Sequence, residues 1–320
     1  MDALTPTPIR VATRRSQLAV TQAQTVADAL AELTSRPAEL VLVTTQGDTS
    51  PGSLVGFGGV GVFVGAVREA VIDGRADVGV HSLKDLPTAP HAELTLAATP
   101  VRQDPRDAFC GIDGATLADL PVAATVGTGS PRRASQLRAL RPDLNVVDIR
   151  GNVDTRLGRV ESGDLDAVIL AAAGLVRLNR EAAITEYLEP AQMLPAPGQG
   201  SLAIEAANSL AQRDPDLHKA LLNLDDFFTH VAVDAERAVL NALEAGCTAP
   251  VGALATVTPA PSELKAESEI HLQAMTAAVD GSQMIRMSIT GNASQADELG
   301  RDLAALLLEA GAADLLGEHE

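Results

Sequence analysis

The stretch IRVATRRSQLAVTQAQTVADAL, residues 9–30, carries the pattern that decides the fold. Residues 9–13 form a short run typical of a strand, and Ser16 then offers the side-chain oxygen that an N-cap requires. From Ala19 to Leu33, apolar residues recur at the three- and four-residue spacing of a helix. A strand, a polar turn and a helix in this order predict the first unit of an α/β sheet.

The same alternation continues through most of the chain. Further strand-like runs lie at residues 40–45, 76–81, 125–128, 146–149, 167–171 and 201–206. Helix-like runs separate them, at 63–72, after Ser130 with Pro131 in the first helical position, and after Asn152. This alternation favours parallel α/β sheets. The Pro- and charge-rich stretch 100–109 suits a crossover between two sheets, and the last of these strands could return to the first sheet.

The alternation of predicted strands and helices ends at about Phe227. A helix through Leu243 leads to a Gly–Cys turn, and three strand-like runs precede a final amphipathic helix at 294–310. Strands without βαβ alternation predict a small α+β domain. The expected fold is therefore two α/β domains plus a small α+β C-terminal domain. Domain 1 is expected to contain 1–100 and 200–222, domain 2 101–199, and domain 3 223–320.

Composition restricts the possible partners. The chain has 320 residues, 46% of them hydrophobic, and a formal net charge of -18. That charge gives no general attraction to nucleic acid or to an anionic membrane, so an anionic ligand needs a local cluster of cations. Two cysteines make no disulfide framework, which fits a reducing compartment. The start MDALTPTPIR lacks an apolar segment, and the apolar run 167–176 is too short to span a bilayer, so we expect a cytoplasmic protein without a signal peptide.

Six arginines lie at the ends of predicted strands or the starts of predicted helices. They are Arg14, Arg132, Arg133, Arg150, Arg156 and Arg177. Ligands bind at this edge of parallel α/β sheets, where helix N-termini offer free N–H groups to anions. The planar guanidinium also holds a carboxylate with two hydrogen bonds. The alternative is that these arginines solvate the surface of an acidic protein, but six at equivalent places favour an anion site.

Two further segments carry groups suited to chemistry. HSLKDLPTAP, residues 81–90, brings His81, Ser82, Lys84 and Asp85 to the same sheet edge. A carboxylate among cations there stays ionised and can stabilise a cationic intermediate or move a proton. The alternative is a Lys–Asp surface pair that closes a turn. Cys247, in LEAGCTAP, lies in a Gly-flanked turn that predicts an accessible thiol, able to act as a nucleophile or an attachment point.

Other patterns are less informative. A lone cysteine is often a small buried hydrophobe, and Cys110, inside the strand-like DAFCGI, is assigned to that class. The segment GFGGVG (56–61) lacks the leading strand and the acidic partner of a dinucleotide motif. No spacing of His, Cys or carboxylates suggests a metal site.

Eight segments make the chain resemble the porphobilinogen deaminase family. They are RVATRRSQLA (10–19), ADVGVHSLKDLPT (76–88), DPRDAF (104–109), VGTGSPRRASQL (126–137), RGNVDTRLGRV (150–160), ILAAAGLVRL (169–178), LPAPGQG (194–200) and AERAVLNALEAGCTAPVG (235–252). They follow the order of the family, and HSLKDLP and RGNVDTRL are highly specific. The resemblance implies two domains similar to a type II periplasmic-binding-protein pair with a cleft between them, and a third domain that carries a cofactor cysteine.

The resemblance also implies the chemistry. It implies a dipyrromethane cofactor of two linked pyrroles, held by a thioether to Cys247. It also implies a hydroxymethylbilane synthase reaction for haem biosynthesis, in which four porphobilinogen molecules are added, ammonia is released each time and hydroxymethylbilane is finally hydrolysed off. Asp85 matches the catalytic aspartate. The implied cofactor contacts are Asp48, Ser82, Lys84, Thr128, Ser130, Arg132, Arg133, Arg150, Asn152 and Arg156, and the implied substrate contacts are Arg14, Ser16, Arg177 and Gln199.

The chain departs from the family pattern at two places. The Gly-rich loop GFGGVGVF has Val60 where many members have lysine, which removes a charge contact to the ligand, and Gly129 replaces a frequent serine. The loop 46–61 is expected to be mobile because it is rich in glycine. The main rival function is a non-catalytic anion-binding protein of the periplasmic-binding-protein type, and a second is an unrelated transferase or lyase. We expect a monomer that binds porphobilinogen and neither nucleic acid nor membrane.

Overall fold

The computed structural model describes residues 7–44, 64–246, 249–261 and 265–316. The chain divides into two compact units: unit 1 contains Met1–Arg102 and Ser201–His230, and unit 2 contains Gln103–Gly200 and Val231–Glu320. The segments expected to form domains 2 and 3 thus fall together in unit 2, and the three-domain division stays a prediction. None of the described helices is long and apolar enough to cross a membrane.

The regular elements are named in chain order. The strands are β1 (Ile9–Arg14), β2 (Ala38–Val43), β3 (Val78–Ser82), β4 (Leu94–Ala98), β5 (Asp107–Gly111), β6 (Thr125–Gly127), β7 (Asn145–Val147), β8 (Ala167–Ala171), β9 (Glu186–Leu188), β10 (Leu202–Ala207), β11 (Val251–Thr258), β12 (Glu269–Ala277) and β13 (Met284–Asn292). The helices are α1 (Gln17–Thr34), α2 (Gly65–Ile72), α3 (Pro131–Leu140), α4 (Val153–Glu161), α5 (Ala172–Arg177), α6 (Leu210–Arg213), α7 (Pro215–Leu224), α8 (Phe227–Ala242), α9 (Ala296–Glu309) and α10 (Ala312–Leu316).

Helix α1 begins at an N-cap serine and ends at a residue in the left-handed conformation. Ser16 is extended and its Oγ accepts a hydrogen bond from the Ala19 amide at 3.4 Å, so the predicted N-cap is confirmed. The helix stops at Ser35, which adopts the left-handed conformation, two residues before Pro37. Its buried face, which includes Val26 and Leu30, packs on the sheet of unit 1.

The sheet of unit 1 has the strand order β2-β1-β3-β10-β4. Strand β1 runs parallel to β2 and β3, whereas β10 runs antiparallel to both β3 and β4. The expected return of this late strand to the first sheet is confirmed, but the expectation of a parallel sheet is wrong at β10. A strand that rejoins a sheet without a helical crossover is free to pair in the antiparallel direction.

Unit 2 contains a second sheet of similar design and a small third sheet. The second sheet has the order β7-β6-β8-β5-β9, in which β5 runs antiparallel to both neighbours. As predicted, α3 begins with Pro131 after the N-cap Ser130, and α4 follows the N-cap Asn152. The third sheet, β11-β12-β13, is antiparallel and buries its apolar face against α8 and α9. The expected fold class of two α/β parts and a small α+β part is therefore confirmed.

Candidate active site

A pocket lies in unit 1 where the parallel neighbours β1 and β3 end at the same edge of the sheet. This cavity of about 70 Å³ is lined by polar groups from three segments, and among them are Arg14, Ser16, Ser82 and Asp85. These four were singled out from the sequence, and the structure brings them together. Ser16 also places the N-terminus of α1, with its free N–H groups, at the pocket.

Asp85 is carried on a short 3₁₀ turn, residues 83–85, that follows β3 directly. The turn is anchored by Leu83, which is fully buried and whose amide donates to the Ser201 carbonyl at 3.0 Å. Asp85 itself is exposed and Lys84 is half-buried. The fold thus places a carboxylate at the rim of the pocket, on a turn that Leu83 anchors.

Gln22 is a pocket residue that the sequence analysis missed. Its side chain is buried, and the amide nitrogen and oxygen lie 3.0 and 3.1 Å from Ser82 Oγ. Gln22 lies on the face of α1 that is otherwise apolar. A polar residue on the predicted core face of a helix needs a hydrogen-bonding partner, and this signal could have identified it.

In unit 2, Arg132 and Arg133 converge on one buried carboxylate, that of Asp107. Arg132 Nη1 lies 2.8 Å from Oδ2 and Arg133 Nε 2.9 Å from Oδ1, and Asp107 is fully buried. Burial alone would raise the pKa of Asp107, but the two guanidinium charges outweigh it and hold this pKa well below its usual range. The sequence analysis missed Asp107, although it lies in the quoted DPRDAF.

Gln199 completes this buried network. Its Nε2 donates to Asp107 Oδ1 and to the Pro105 carbonyl, each at 2.8 Å, and its Oε1 accepts from Arg133 Nη2 at 3.3 Å. Arg132 and Arg133 also donate to the backbone carbonyls of Leu194 and Ile169. Arg132, Arg133 and Gln199 are therefore predicted ligand contacts that already use part of their donors and acceptors within the protein.

Arg156 and Arg177 differ from this pair because no described carboxylate forms an ion pair with either. Arg156 Nε donates to the Gly151 carbonyl at 2.9 Å, and Arg177 Nη2 donates to the Gly200 carbonyl at 2.7 Å. Burial lowers the pKa of Arg156, and the neighbouring charges of Arg133 and Arg150 lower it further. Burial lowers the pKa of Arg177 to about 10. The exposed Arg150 pairs with Asp148 at 3.2 Å.

Three predicted polar contacts lie at two helix starts: Ser130 and Asn152 are the N-caps of α3 and α4, and Thr128 binds the amide of Ser130. Ser130 Oγ accepts from the Arg133 amide at 3.4 Å, and Thr128 Oγ1 accepts from the Ser130 amide at 3.2 Å. Asn152 Oδ1 accepts from the Thr155 amide at 2.8 Å. A Cβ at Gly129 would lie 2.6 Å from the Ile149 carbonyl oxygen, so the backbone approaches closely here. Any side chain at this position would require a shift of that backbone.

Helix α8 leads towards the predicted attachment cysteine and is tied to the turn that carries Gln199. Its buried residue Glu236 accepts from the Gly198 amide at 2.6 Å and from the Ala255 amide at 2.8 Å. One carboxylate thus joins the helix, the 194–200 turn and β11. The sequence analysis did not single out Glu236, which lies in the quoted AERAVL segment.

Several predicted features lie outside the described residues. They are Cys247, Asp48 and the loop 46–61 with its GFGGVG segment and Val60. Cys110 is described and buried, and burial raises the pKa of its thiol to about 12, so its assignment as a small buried hydrophobe is confirmed. Across the described ranges, no group of three His, Cys, Asp or Glu side chains could hold a metal ion.

Comparisons with protein families give two matches along the chain. The family described as "Porphobilinogen deaminase, dipyromethane cofactor binding domain" matches residues 9–214. The family described as "Porphobilinogen deaminase, C-terminal domain" matches residues 230–309.

Relatives of known name match over almost the whole chain. The porphobilinogen deaminase of Nocardia farcinica is 53% identical over 99% of this chain and 90% of that protein. Porphobilinogen deaminase 1 of Streptomyces coelicolor is 50% identical over 99% of both chains. The porphobilinogen deaminase of Mycobacterium marinum is 53% identical over 96% of both chains.

Solved structures of low sequence identity are also similar. A putative periplasmic sulfonate-binding protein from Methylobacillus flagellatus is 14% identical with a TM-score of 0.41, covering 69% of this chain and 67% of that one. A periplasmic substrate-binding protein from Coxiella burnetii is 11% identical with a TM-score of 0.43, covering 68% of this chain and 91% of that one.

Proposed function

The chain belongs to the porphobilinogen deaminase family, and on that premise we propose the reaction and the residues that perform it. The protein is a transferase that condenses four porphobilinogen molecules head to tail on a dipyrromethane primer. It releases ammonia at each addition and finally hydrolyses off the linear tetrapyrrole hydroxymethylbilane. We propose that it acts as a monomer in the cytoplasm.

The observation that carries the binding site is a pair of half-buried cations, Arg156 and Arg177, to which the described residues offer no carboxylate ion pair. In a chain of net charge -18, partial withdrawal of a guanidinium from water without an acidic partner has a cost that an anionic ligand would offset. Each pyrrole of the primer and of the substrate carries an acetate and a propionate. The residues present therefore fit a ligand with several carboxylates.

We propose that the primer carboxylates are held by cations and helix starts of unit 2. Arg132, Arg133, Arg150 and Arg156 supply charge, and Thr128, Ser130 and Asn152 lie at the N-termini of α3 and α4, where free N–H groups favour anions. When bound, the dipyrromethane supplies the free pyrrole α-carbon to which the first substrate is joined. We propose that Asp48, Ser82 and Lys84 also contact it.

Arg14, Ser16, Arg177 and Gln199 are proposed to hold the carboxylates of the incoming substrate. Loss of ammonia leaves that substrate as an electron-poor cation. Asp85, held at the rim of the unit 1 pocket, accepts hydrogen bonds from pyrrole N–H groups and stabilises this developing positive charge. Its anchored turn presents the carboxylate before the charge develops, so no reorganisation is needed during the reaction.

We propose that Cys247 holds the primer through a thioether. The C-terminal family match covers its position, and α8 leads the chain to Gly246 beside it. A thioether resists hydrolysis, as a primer retained through many cycles must. Cys110 is buried and its raised pKa disfavours the thiolate, so it serves as an internal control.

Two measurements on the purified protein test the proposal. Intact-mass spectrometry and peptide mapping should find an adduct of two pyrrole units on Cys247, none on Cys110, and none in Cys247→Ser. A steady-state assay should show consumption of porphobilinogen with release of ammonia. A non-catalytic anion-binding protein would bind porphobilinogen unchanged and carry no adduct, and active protein of unmodified mass would refute the covalent primer.

A further inference from the structure

Gln22 and Ser82 form a hydrogen-bonded pair in the wall of the unit 1 pocket. Gln22 lies on α1 and Ser82 ends β3, and both line the cavity together with Asp85. Nε2 and Oε1 of Gln22 lie 3.0 and 3.1 Å from Ser82 Oγ. The Gln22 side chain is buried, whereas Ser82 is half-buried. The Ser82 hydroxyl therefore lies between a buried amide and the pocket.

The pair fixes the direction of the Ser82 hydroxyl proton. A serine hydroxyl has one O–H to donate and two lone pairs that accept. The side-chain carbonyl oxygen of Gln22 is withdrawn from water on the helix face that buries Val26 and Leu30, and a buried carbonyl oxygen requires a donor. The Ser82 hydroxyl supplies that donor, while one of its lone pairs accepts from Nε2. The proton thus points into the wall, and one lone pair is left for the pocket.

We propose that Gln22 is a positioning residue, which makes Ser82 a hydrogen-bond acceptor for an N–H group of the substrate pyrrole. A hydroxyl that is free to rotate either accepts from an N–H group or donates to a carboxylate. With its proton held by Gln22, Ser82 offers the pocket a lone pair, which repels a carboxylate oxygen. Ser82 therefore excludes the substrate carboxylates from its side of the pocket and receives an N–H group there.

The other polar groups of the pocket complete this division. Arg14 and the first turn of α1 at Ser16 bring a cation and free backbone N–H groups, which attract carboxylates. Ser82 and Asp85 bring acceptors, which attract N–H groups. Porphobilinogen has its two carboxylates on one edge and its pyrrole N–H and aminomethyl group on the other, so it fits in one orientation. This orientation rests on the proposed function, whereas the direction of the Ser82 hydroxyl does not.

The test uses the purified holoenzyme and two probes that share the same carboxylates. One probe is porphobilinogen, and the other is a furan that carries the same acetate and propionate but has no N–H group. Gln22→Met keeps the volume of the side chain and removes its amide. It should raise KM for porphobilinogen about 3–10-fold, because the substrate N–H loses a fixed acceptor. The inhibition constant of the furan should stay within about twofold of wild type.

A double-variant cycle tests whether Gln22 acts through Ser82. If it does, Gln22→Met/Ser82→Ala should have the same KM as Ser82→Ala alone. Gln24→Met is the matched control, because Gln24 is exposed on the same helix and donates to Asp28 Oδ1 at 2.7 Å. It should leave both constants unchanged. The intact mass of each variant establishes that it carries the primer, so that KM reports on the substrate.

Three outcomes would overturn the proposal. The first is a rise of KM and of the furan inhibition constant by the same factor in Gln22→Met, which a general distortion of the pocket produces. The second is an unchanged KM in Gln22→Met, and the third is a double variant in which the effects of the two single variants multiply.

Two further arms keep the test decisive. If Gln22→Met fails to fold or to carry the primer, Ser82→Ala should show the selective loss of porphobilinogen, and equal losses of both probes would refute the proposal. A wild-type protein without turnover would refute the proposed function instead. Kd values of the two probes from calorimetry would then replace KM and test the role of Gln22 separately.

Discussion

Asp107→Asn should destabilise unit 2 strongly, because among the described residues Asp107 is the one carboxylate that pairs with both Arg132 and Arg133. The asparagine fills the same volume, so the change isolates charge from packing. Removing one partner of a buried ion pair typically costs about 3–5 kcal/mol. Asp107 is fully buried and accepts from both guanidinium groups and from Gln199, so we expect a loss in this range.

The loss should depend on pH in a defined direction. Burial raises the pKa of Asp107, but the arginine charges outweigh burial, and the folded-state pKa lies well below its ordinary value of 3.8. The contribution of the carboxylate to stability is therefore complete above the unfolded-state value and is lost as the pH falls towards the folded-state pKa. The difference between wild type and Asp107→Asn should be full at pH 7 and should shrink below about pH 4.

Tyrosine fluorescence during urea unfolding measures the free energy of unfolding with a probe that lies close to Asp107. The chain has no tryptophan and one tyrosine, Tyr187 of β9, which pairs with Ala108 next to Asp107 on β5. The control is Asp73→Asn, since Asp73 forms an exposed pair with Arg75 at 3.4 Å. An Asp107→Asn protein within about 0.5 kcal/mol of wild type at pH 7 would refute the reasoning.

Three further predictions concern catalysis, binding and local stability. Asp85→Asn should reduce turnover of porphobilinogen on the order of a hundredfold without changing unfolding, since one preorganised charge is lost; near-normal steady-state rates would remove Asp85 from the mechanism. Arg177→Leu should weaken turnover of porphobilinogen markedly, whereas Arg213→Leu at the exposed end of α6 should not; equal tolerance would contradict the anion site. Gly158→Ala should stabilise α4 by about 0.5–1 kcal/mol, since a Cβ added at Gly158 would meet no atom within 4 Å. Gly129→Ala should lower the stability of the protein, because its Cβ would lie 2.6 Å from the Ile149 carbonyl oxygen. Urea midpoints in the reverse order would exclude this reasoning.

Elements with strong local signals were predictable from the sequence. Strand β8 was expected at 167–171 and lies at Ala167–Ala171, and the caps Ser16 and Ser130 begin their helices as expected. Strands β4 and β9 and helix α7 were missed. Strand β9 has only three residues and exists because β5 pairs with it, so no periodicity within it could reveal it.

In the candidate site too, some residues could be placed from the sequence and others could not. Arg14, Ser16, Ser82 and Asp85 could be placed at one sheet edge from the sequence, because the ends of neighbouring strands determine that edge. The partners that hold buried charges could not: Arg68 and Glu205 are 137 residues apart and meet only because β10 returns beside β3.

The sequence by itself determined where strand β8 and the capped helices α1, α3 and α4 begin, which groups lie at the sheet edge, and the family of the chain. These depend on propensities and motifs that act over a few neighbouring residues. Only the tertiary structure decided that Asp107 would neutralise Arg132 and Arg133 while Arg156 and Arg177 keep no described carboxylate partner. That division of charge depends on which strands become neighbours, because a buried ion pair forms wherever the fold brings the two groups together, at any separation along the chain.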